Sequence, residues 1–179
     1  MLEWLLLWAS VGDGAPRHPT RVLILSIVDA CPGITLTTLR ESVGCSWGTI
    51  QHHTRALERR GALRSEPVGR TRRFFTDTTP AGDRRGVALV RSGRVRELVE
   101  AIARRPGQMQ RDLTEGLRLS RKVLRNYMDE LVAQSLVVEE RHARARTYHP
   151  TQALQALLDE LRDDRVELSV VARAQAGVA

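Results

Sequence analysis

The sequence predicts a mainly α chain with small β-hairpins (α+β), built as two tandem copies of one unit. Three observations carry this. First, residues 21–75 laid over 95–149 match without a gap. Val28 meets Ile102, Pro32-Gly33 meets Pro106-Gly107, Leu39 meets Leu113, and Ser46 meets Ser120. Ile50 meets Leu124, Leu57 meets Leu131, Leu63 meets Val137, Arg72 meets Arg146, and Phe74 meets Tyr148. Self-similarity over this length points to a duplicated small domain, since solenoid repeats are shorter. Second, apolar residues recur at helical spacing three times in each copy. Third, each copy ends in two short runs around a turn, the pattern of a hairpin.

In the first copy, Val22, Leu23, Leu25, Ile27 and Val28 form the apolar face of a first helix, and Pro32-Gly33 ends it. Leu36, Leu39 and Val43 mark a short second helix closed by Gly44. Ser46 has the hydroxyl of an N-cap, and a third helix follows with Ile50 and Leu57 inward and Gly61 just past its end. Leu63–Val68 and Arg72–Thr76 read as strands around Gly69-Arg70-Thr71. The second and third helices, joined by Gly44-Cys45, make a helix-turn-helix. In the second copy the helices carry Leu98, Val99 and Ile102, then Leu113 and Leu117, then Leu124, Met128 and Leu131 behind Ser120. Leu136–Glu140 and Ala145–Tyr148 form its hairpin. Val87, Leu89 and Val90 suggest a helix that runs into the second copy, and Thr151 caps a last helix with Leu154, Leu157, Leu158, Leu161 and Val166. The expected organisation is an apolar segment (1–16), a first domain (17–78), a linker helix and second domain (79–150), and a C-terminal helix and tail (151–179).

The chain has 179 residues with 28 basic and 21 acidic side chains, net +7, and Lys122 is its single lysine. Residues 151–179 are slightly acidic, with Arg162, Arg165 and Arg173 against Asp159, Glu160, Asp163, Asp164 and Glu167. The positive charge therefore lies in the duplicated part, which suits a polyanionic partner. Two cysteines, Cys31 and Cys45, imply no disulfide framework and fit a reducing, cytoplasmic setting. They lack metal-site spacing, so a structural role is expected and no metal or cofactor. No phosphate loop, nucleophile context or carboxylate pair is present, which argues against an enzyme. The opening Met-Leu-Glu-Trp-Leu-Leu-Leu-Trp is far shorter than the ~20 residues that span a bilayer. Trp4 and Trp8 share one helix face, open to packing on the body, to a second subunit, or to a peripheral membrane contact.

The segment Ser46-Trp-Gly-Thr-Ile-Gln-His-His-Thr-Arg-Ala-Leu-Glu-Arg-Arg-Gly-Ala-Leu resembles the recognition-helix region of winged helix-turn-helix transcription regulators of the arsenical-repressor-like and MarR-like groups. The paired copies resemble the tandem regulators common in archaea. Thr54, where the family usually has leucine, and Ser135, where the first copy has Gly61, depart from the pattern.

The resemblance implies a sequence-specific regulator of double-stranded DNA. The leucine spacing of the last helix suits a dimer contact, so a homodimer through the terminal helices is expected. A helix fits the major groove, where side chains reach base edges. The face opposite Ile50 and Leu57 carries Trp47, Thr49, Gln51, His52, Arg55 and Arg59. Gln51 suits adenine and Arg55 guanine, whereas His53 lies on the buried side. Arg70, Arg72 and Arg73 in the first wing would follow phosphates. The second copy offers Ser120, Arg121, Lys122, Arg125 and Asn126, with Arg141, Arg144 and Arg146 on its wing. Two other readings share the fold: a protein-binding adaptor in a chromosome or transcription complex, and a replication-initiator-like DNA binder.

Overall fold

The structure is a computed structural model that describes residues 18–142 and 145–161. Helix α1 (Pro19–Ala30) opens with a proline in its first turn, where a missing N–H costs nothing, and His18 caps it by accepting from the Thr20 N–H. Its inner face is Ile24, Leu25, Ile27 and Val28. Gly33 then adopts φ +80°, and a Cβ there would lie 3.0 Å from Arg91 Cδ, so this turn demands glycine twice over.

Strand β1 (Ile34–Thr35) leads into α2 (Leu36–Val43), capped by the Thr35 hydroxyl, which accepts from the Thr38 N–H. Gly44, left-handed at φ 70°, ends α2 and starts the turn to α3 (Trp47–Arg59). Strands β2 (Arg64–Val68) and β3 (Thr71–Phe75) form the hairpin, paired antiparallel from Arg64↔Phe75 to Val68↔Thr71.

After α4 (Ala81–Val90) the series returns: α5 (Gly93–Arg104), β4 (Gln108–Met109), α6 (Gln110–Leu117), α7 (Arg121–Ala133), β5 (Val137–His142) and β6 (Ala145–Pro150). The bounds of α5, β4, α6 and α7 are those of α1, β1, α2 and α3 carried along by the offset seen in the sequence. The chain is thus an α+β fold with two tandem winged helix-turn-helix units. Residues 152–161 form a further helix, α8, whose start is capped as expected by Thr151 Oγ1, accepting from the Leu154 N–H at 3.2 Å.

The hairpins form as expected, with one addition, and one expectation about the linker helix needs refinement. Each hairpin belongs to a three-stranded sheet, in the orders β1-β3-β2 and β4-β6-β5. The third strand is two residues long, for example Ile34↔Phe74 and Thr35↔Arg73, too short to leave an alternation in the sequence. The linker helix that carries Val87, Leu89 and Val90 does reach the second unit, but it stops at Val90 and is not continuous with the next helix. The Ser92 hydroxyl turns back to the Ala88 carbonyl at 3.1 Å, and α5 starts afresh at Gly93.

Two cores follow the duplication. The first joins α1, α2 and α3 through Ile24, Val28, Leu39, Ile50, Leu57 and Phe74. The second joins α5, α6, α7 and α8 through Leu98, Ile102, Leu113, Leu124, Leu131 and Leu158. Helix α4 serves both units. Leu89 and Val90 enter the second core, while Val87 and Ala88 pack on Phe75 of the first sheet.

Two arginines fasten the units. Arg73 donates to the Gly33 carbonyl at 2.8 Å and the Arg91 carbonyl at 2.9 Å. Arg85 on α4 donates to the Pro67 carbonyl and to Glu130 on α7, both at 2.6 Å. Among the described residues no helix is long and apolar enough to cross a membrane. The segment 1–16, with Trp4 and Trp8, and the tail beyond Leu161 lie outside the described residues. The leucines of α8 whose spacing suggested a dimer contact, Leu154, Leu158 and Leu161, are buried instead in the second core of their own chain.

Candidate nucleic-acid interface

Helix α3 is set by its N-cap and its buried stripe. Ser46 Oγ accepts from the Thr49 N–H at 3.2 Å and meets Thr49 Oγ1 at 2.8 Å. Ile50, His53, Thr54, Ala56 and Leu57 face the core. Thr54, the departure from the leucine pattern, is buried because its hydroxyl donates to the Ile50 carbonyl at 2.8 Å and leaves no polar group unmet. With this stripe inward, Trp47, Thr49, Gln51, His52, Arg55 and Arg59 are all exposed, as the spacing predicts. Arg55 and Arg59 form no ion pair among the described residues. Their charge is therefore available to an outside anion.

Two residues that the sequence did not single out organise this face. Arg40 on α2 places its guanidinium 4.8 Å from the Trp47 ring centre, which holds an otherwise exposed indole beside the helix start. Glu58 on α3 accepts from Arg72 at 2.7 Å and from Ser65 at 2.8 Å, which ties the hairpin to the helix. Helical periodicity could flag neither, since both act across elements. His53 is buried with Nδ1 unmet, and its ring centre lies 4.5 Å from His18 and 5.3 Å from His52. Burial lowers its pKa, and the nearby His18, Arg21 and His52 lower it further.

The first wing divides its three arginines. Arg70, at the tip, is exposed. Arg72 is mostly exposed but engaged by Glu58. Arg73 does not face solvent: it is 8% exposed and spends its guanidinium on the Gly33 and Arg91 carbonyls. A phosphate-following role for Arg73 is therefore corrected. Side chains alternate along a strand, so Arg73 shares a face with Phe75, and α4 covers that face. The alternation Arg73/Phe75 was the available signal.

On α7, Arg121, Lys122, Arg125 and Asn126 are exposed, and Ser120 Oγ accepts from the Val123 N–H at 3.2 Å as the N-cap. In the second wing, Arg141 and Arg146 both bind Glu139, at 2.7 and 3.1 Å. Burial pushes the Glu139 carboxyl up, but the Arg141 hydrogen bond and the charges of Arg146 and Arg141 hold it below the usual carboxylate range. Arg144 lies outside the described residues. This unit also exposes Met109, Val123, Val132 and Val138, whereas Trp47 is the exposed large apolar side chain of the first unit. Among the described residues no three or more His, Cys, Asp or Glu side chains are grouped to hold a metal ion.

No curated protein matches the chain. NolR from Sinorhizobium fredii is similar in structure, with 17% identity and a TM-score of 0.43, over 46% of this chain and 82% of that one. A MarR family transcription regulator, SP03579, gives 20% identity and a TM-score of 0.40, over 79% of this chain and 88% of its own. ScpB from Mycobacterium tuberculosis gives 15% identity and a TM-score of 0.33, over 83% and 98%. In sequence, residues 18–87, from the cap of α1 through most of α4, match the family model of an N-terminal HTH domain.

Proposed function

We propose that this protein is a sequence-specific, double-stranded-DNA-binding transcriptional regulator, not an enzyme. The observation that carries the reading is the outer face of α3. It presents Gln51, Arg55 and Arg59 in one stripe, with both arginines free of ion pairs among the described residues, and the wing adds an exposed arginine, Arg70. Gln51 and Arg55 are the side-chain types that read adenine and guanine edges in the major groove, and Arg70 would sit on the backbone. The helix-turn-helix family match over residues 18–87 supports the same role. Arg121, Lys122, Arg125 and Asn126 on α7 extend the reading to a second helix with different chemistry, so the two units would not read the same bases. Two-fold pairing of chains through the terminal segments, in the cytoplasm, completes the proposal.

One observation favours a second reading for the second unit alone. Val123 and Val132 on α7 and Val138 on β5 expose apolar surface where a DNA contact prefers polar groups. In that reading the second unit is a protein-binding module attached to a DNA-binding first unit.

Selection of bound sequences from a random double-stranded pool tests the proposal. The expected result is an enriched inverted repeat. With Arg55→Ala, one base position should lose its preference, by about 1–3 kcal/mol. An unenriched pool together with salt-independent binding sinks the DNA reading. A motif recovered unchanged when Arg121, Lys122 and Arg125 are replaced by alanine would assign the second unit to protein contact.

A further inference from the structure

We propose that the cavity between the end of α1, the start of α4 and α8 is a binding site for an organic cation with an apolar body, such as an arylalkyl amine. The cavity measures about 500 Å³. That lies within the ~300–1,000 Å³ of small-molecule sites, which favour the junction of two domains as here. Its walls come from the first unit (Asp29), from α4 (Asp83, Val87) and from the second unit (Leu136, Leu157, Glu160).

Three features define the ligand. The first is the lining itself: among the described residues it holds three carboxylates and no arginine, lysine or histidine, in a chain with 28 basic residues. Among the described residues Asp29 is held in place by hydroxyls alone, accepting from Thr76 at 2.8 Å and Thr78 at 2.6 Å on one oxygen. These neutral donors orient the carboxylate without cancelling its charge. Asp83 has no cation partner among the described residues, whereas Glu160 lies near Arg91 and is partly compensated.

The second feature is the helix ends. Asp29 belongs to the last turn of α1, and Gln134, another lining residue, is the C-cap of α7. Both ends present carbonyls with partial negative charge, and neither helix has a basic residue in its last turn. Two further helix ends in the wall are of the opposite kind, the N-terminus of α4 and, at Ala153, that of α8. Asp83 in the first turn of α4 offsets one of them. The helix ends therefore leave little net field, and the negative sign of the site rests on its carboxylates.

The third feature is the apolar floor. Val87, Leu136 and Leu157 would cover a hydrocarbon or aromatic body, so a small hydrated metal ion is a poor fit and an amphiphilic amine a good one. Ala153 and Ala156 keep the α8 side shallow and leave room for that body.

Titration calorimetry on the full chain with three matched probes tests this: 4-phenylbutylammonium, 4-phenylbutanol and 4-phenylbutanoate. The ammonium should bind about tenfold more tightly than the alcohol, and the carboxylate most weakly. Asp29→Asn keeps an acceptor oxygen for the two threonines, and Asp83→Asn sits on an exposed turn, so both variants should fold. Each should weaken the ammonium about three- to tenfold and leave the alcohol unchanged. Ala156→Phe, on an exposed helix face, should fill the cavity and remove binding of the ammonium. Failure of the ammonium to bind overturns the proposal. So does equal affinity for the three probes, indifference to both aspartate variants, or ammonium binding that survives Ala156→Phe.

Discussion

Arg72 on the first wing donates to Glu58 on helix α3 at 2.7 Å, and Ser65 closes the triangle at 2.6 Å from Arg72. The second unit keeps the arginine, Arg146, but places Val132 and Glu139 where the first has Glu58 and Ser65. Its carboxylate has moved from the helix to the hairpin, where it holds Arg141 and Arg146 together. The first wing is thus fastened to its recognition helix, and the second is fastened to itself.

This pairing separates two arginines that look alike in the sequence. Arg70→Ala should lower the slope of log affinity against log salt by about 0.9, the value of one phosphate contact on duplex DNA. Arg72→Ala should change the slope less, because Glu58 already balances its charge. It should instead cost about 0.5 kcal/mol of stability, a small figure because the arginine is mostly exposed. Binding titrations over a salt series, with urea melts, check both. Equal slope changes for the two variants would show that Glu58 releases Arg72 on the DNA.

Arg73 is a structural arginine. Arg73→Met should destabilise the chain by about 2–4 kcal/mol, because two buried carbonyls lose charged donors at once. Arg73→Lys should recover less than half, since a single ammonium lacks the planar fork that spans both oxygens. Urea midpoints at constant m measure this. A loss below about 0.5 kcal/mol would mean that the two units are not held by this side chain.

Ser135 takes φ +55° where the first unit has Gly61 at φ +73°. A side chain is strained there, so Ser135→Gly should stabilise by about 1 kcal/mol. For a domain pair of this size that is a rise in Tm of roughly 2–4 °C. A lower Tm would place a needed contact on the serine hydroxyl.

His53 gives a pH signature. Its folded pKa lies below its ordinary value, chiefly through burial. Above the unfolded value of about 6.5 the ring is neutral in both states and contributes nothing to the pH slope. As pH falls from there toward the folded pKa, the unfolded chain takes up the proton first, so stability is lost. Melting curves from pH 7.5 to 5 should show this fall, and His53→Leu should flatten it. Parallel curves for the two proteins would assign the acid sensitivity to other groups.

The helices were legible because each is written in a local period and closed by local chemistry. Ile50 and Leu57 set the inner face of α3, Ser46 caps it, and the outer face follows by geometry. The duplication was legible for the same reason: it is a property of the string itself. The two-residue strands β1 and β4 were not, because they exist through pairing with residues some 40 positions away.

The sequence by itself determined two helix-turn-helix units, their hairpins and the exposed face of α3, since all of these rest on contacts within a few residues. The tertiary structure alone decided which wing arginines remain outside. Arg72 and Arg73 are neighbours in the chain, yet one meets Glu58 and the other is buried under α4. It also decided that Asp29, Asp83 and Glu160 would share one cavity. Charges so far apart in sequence meet only when the two cores close on α4, because burial of apolar surface, and not local propensity, brings those elements together.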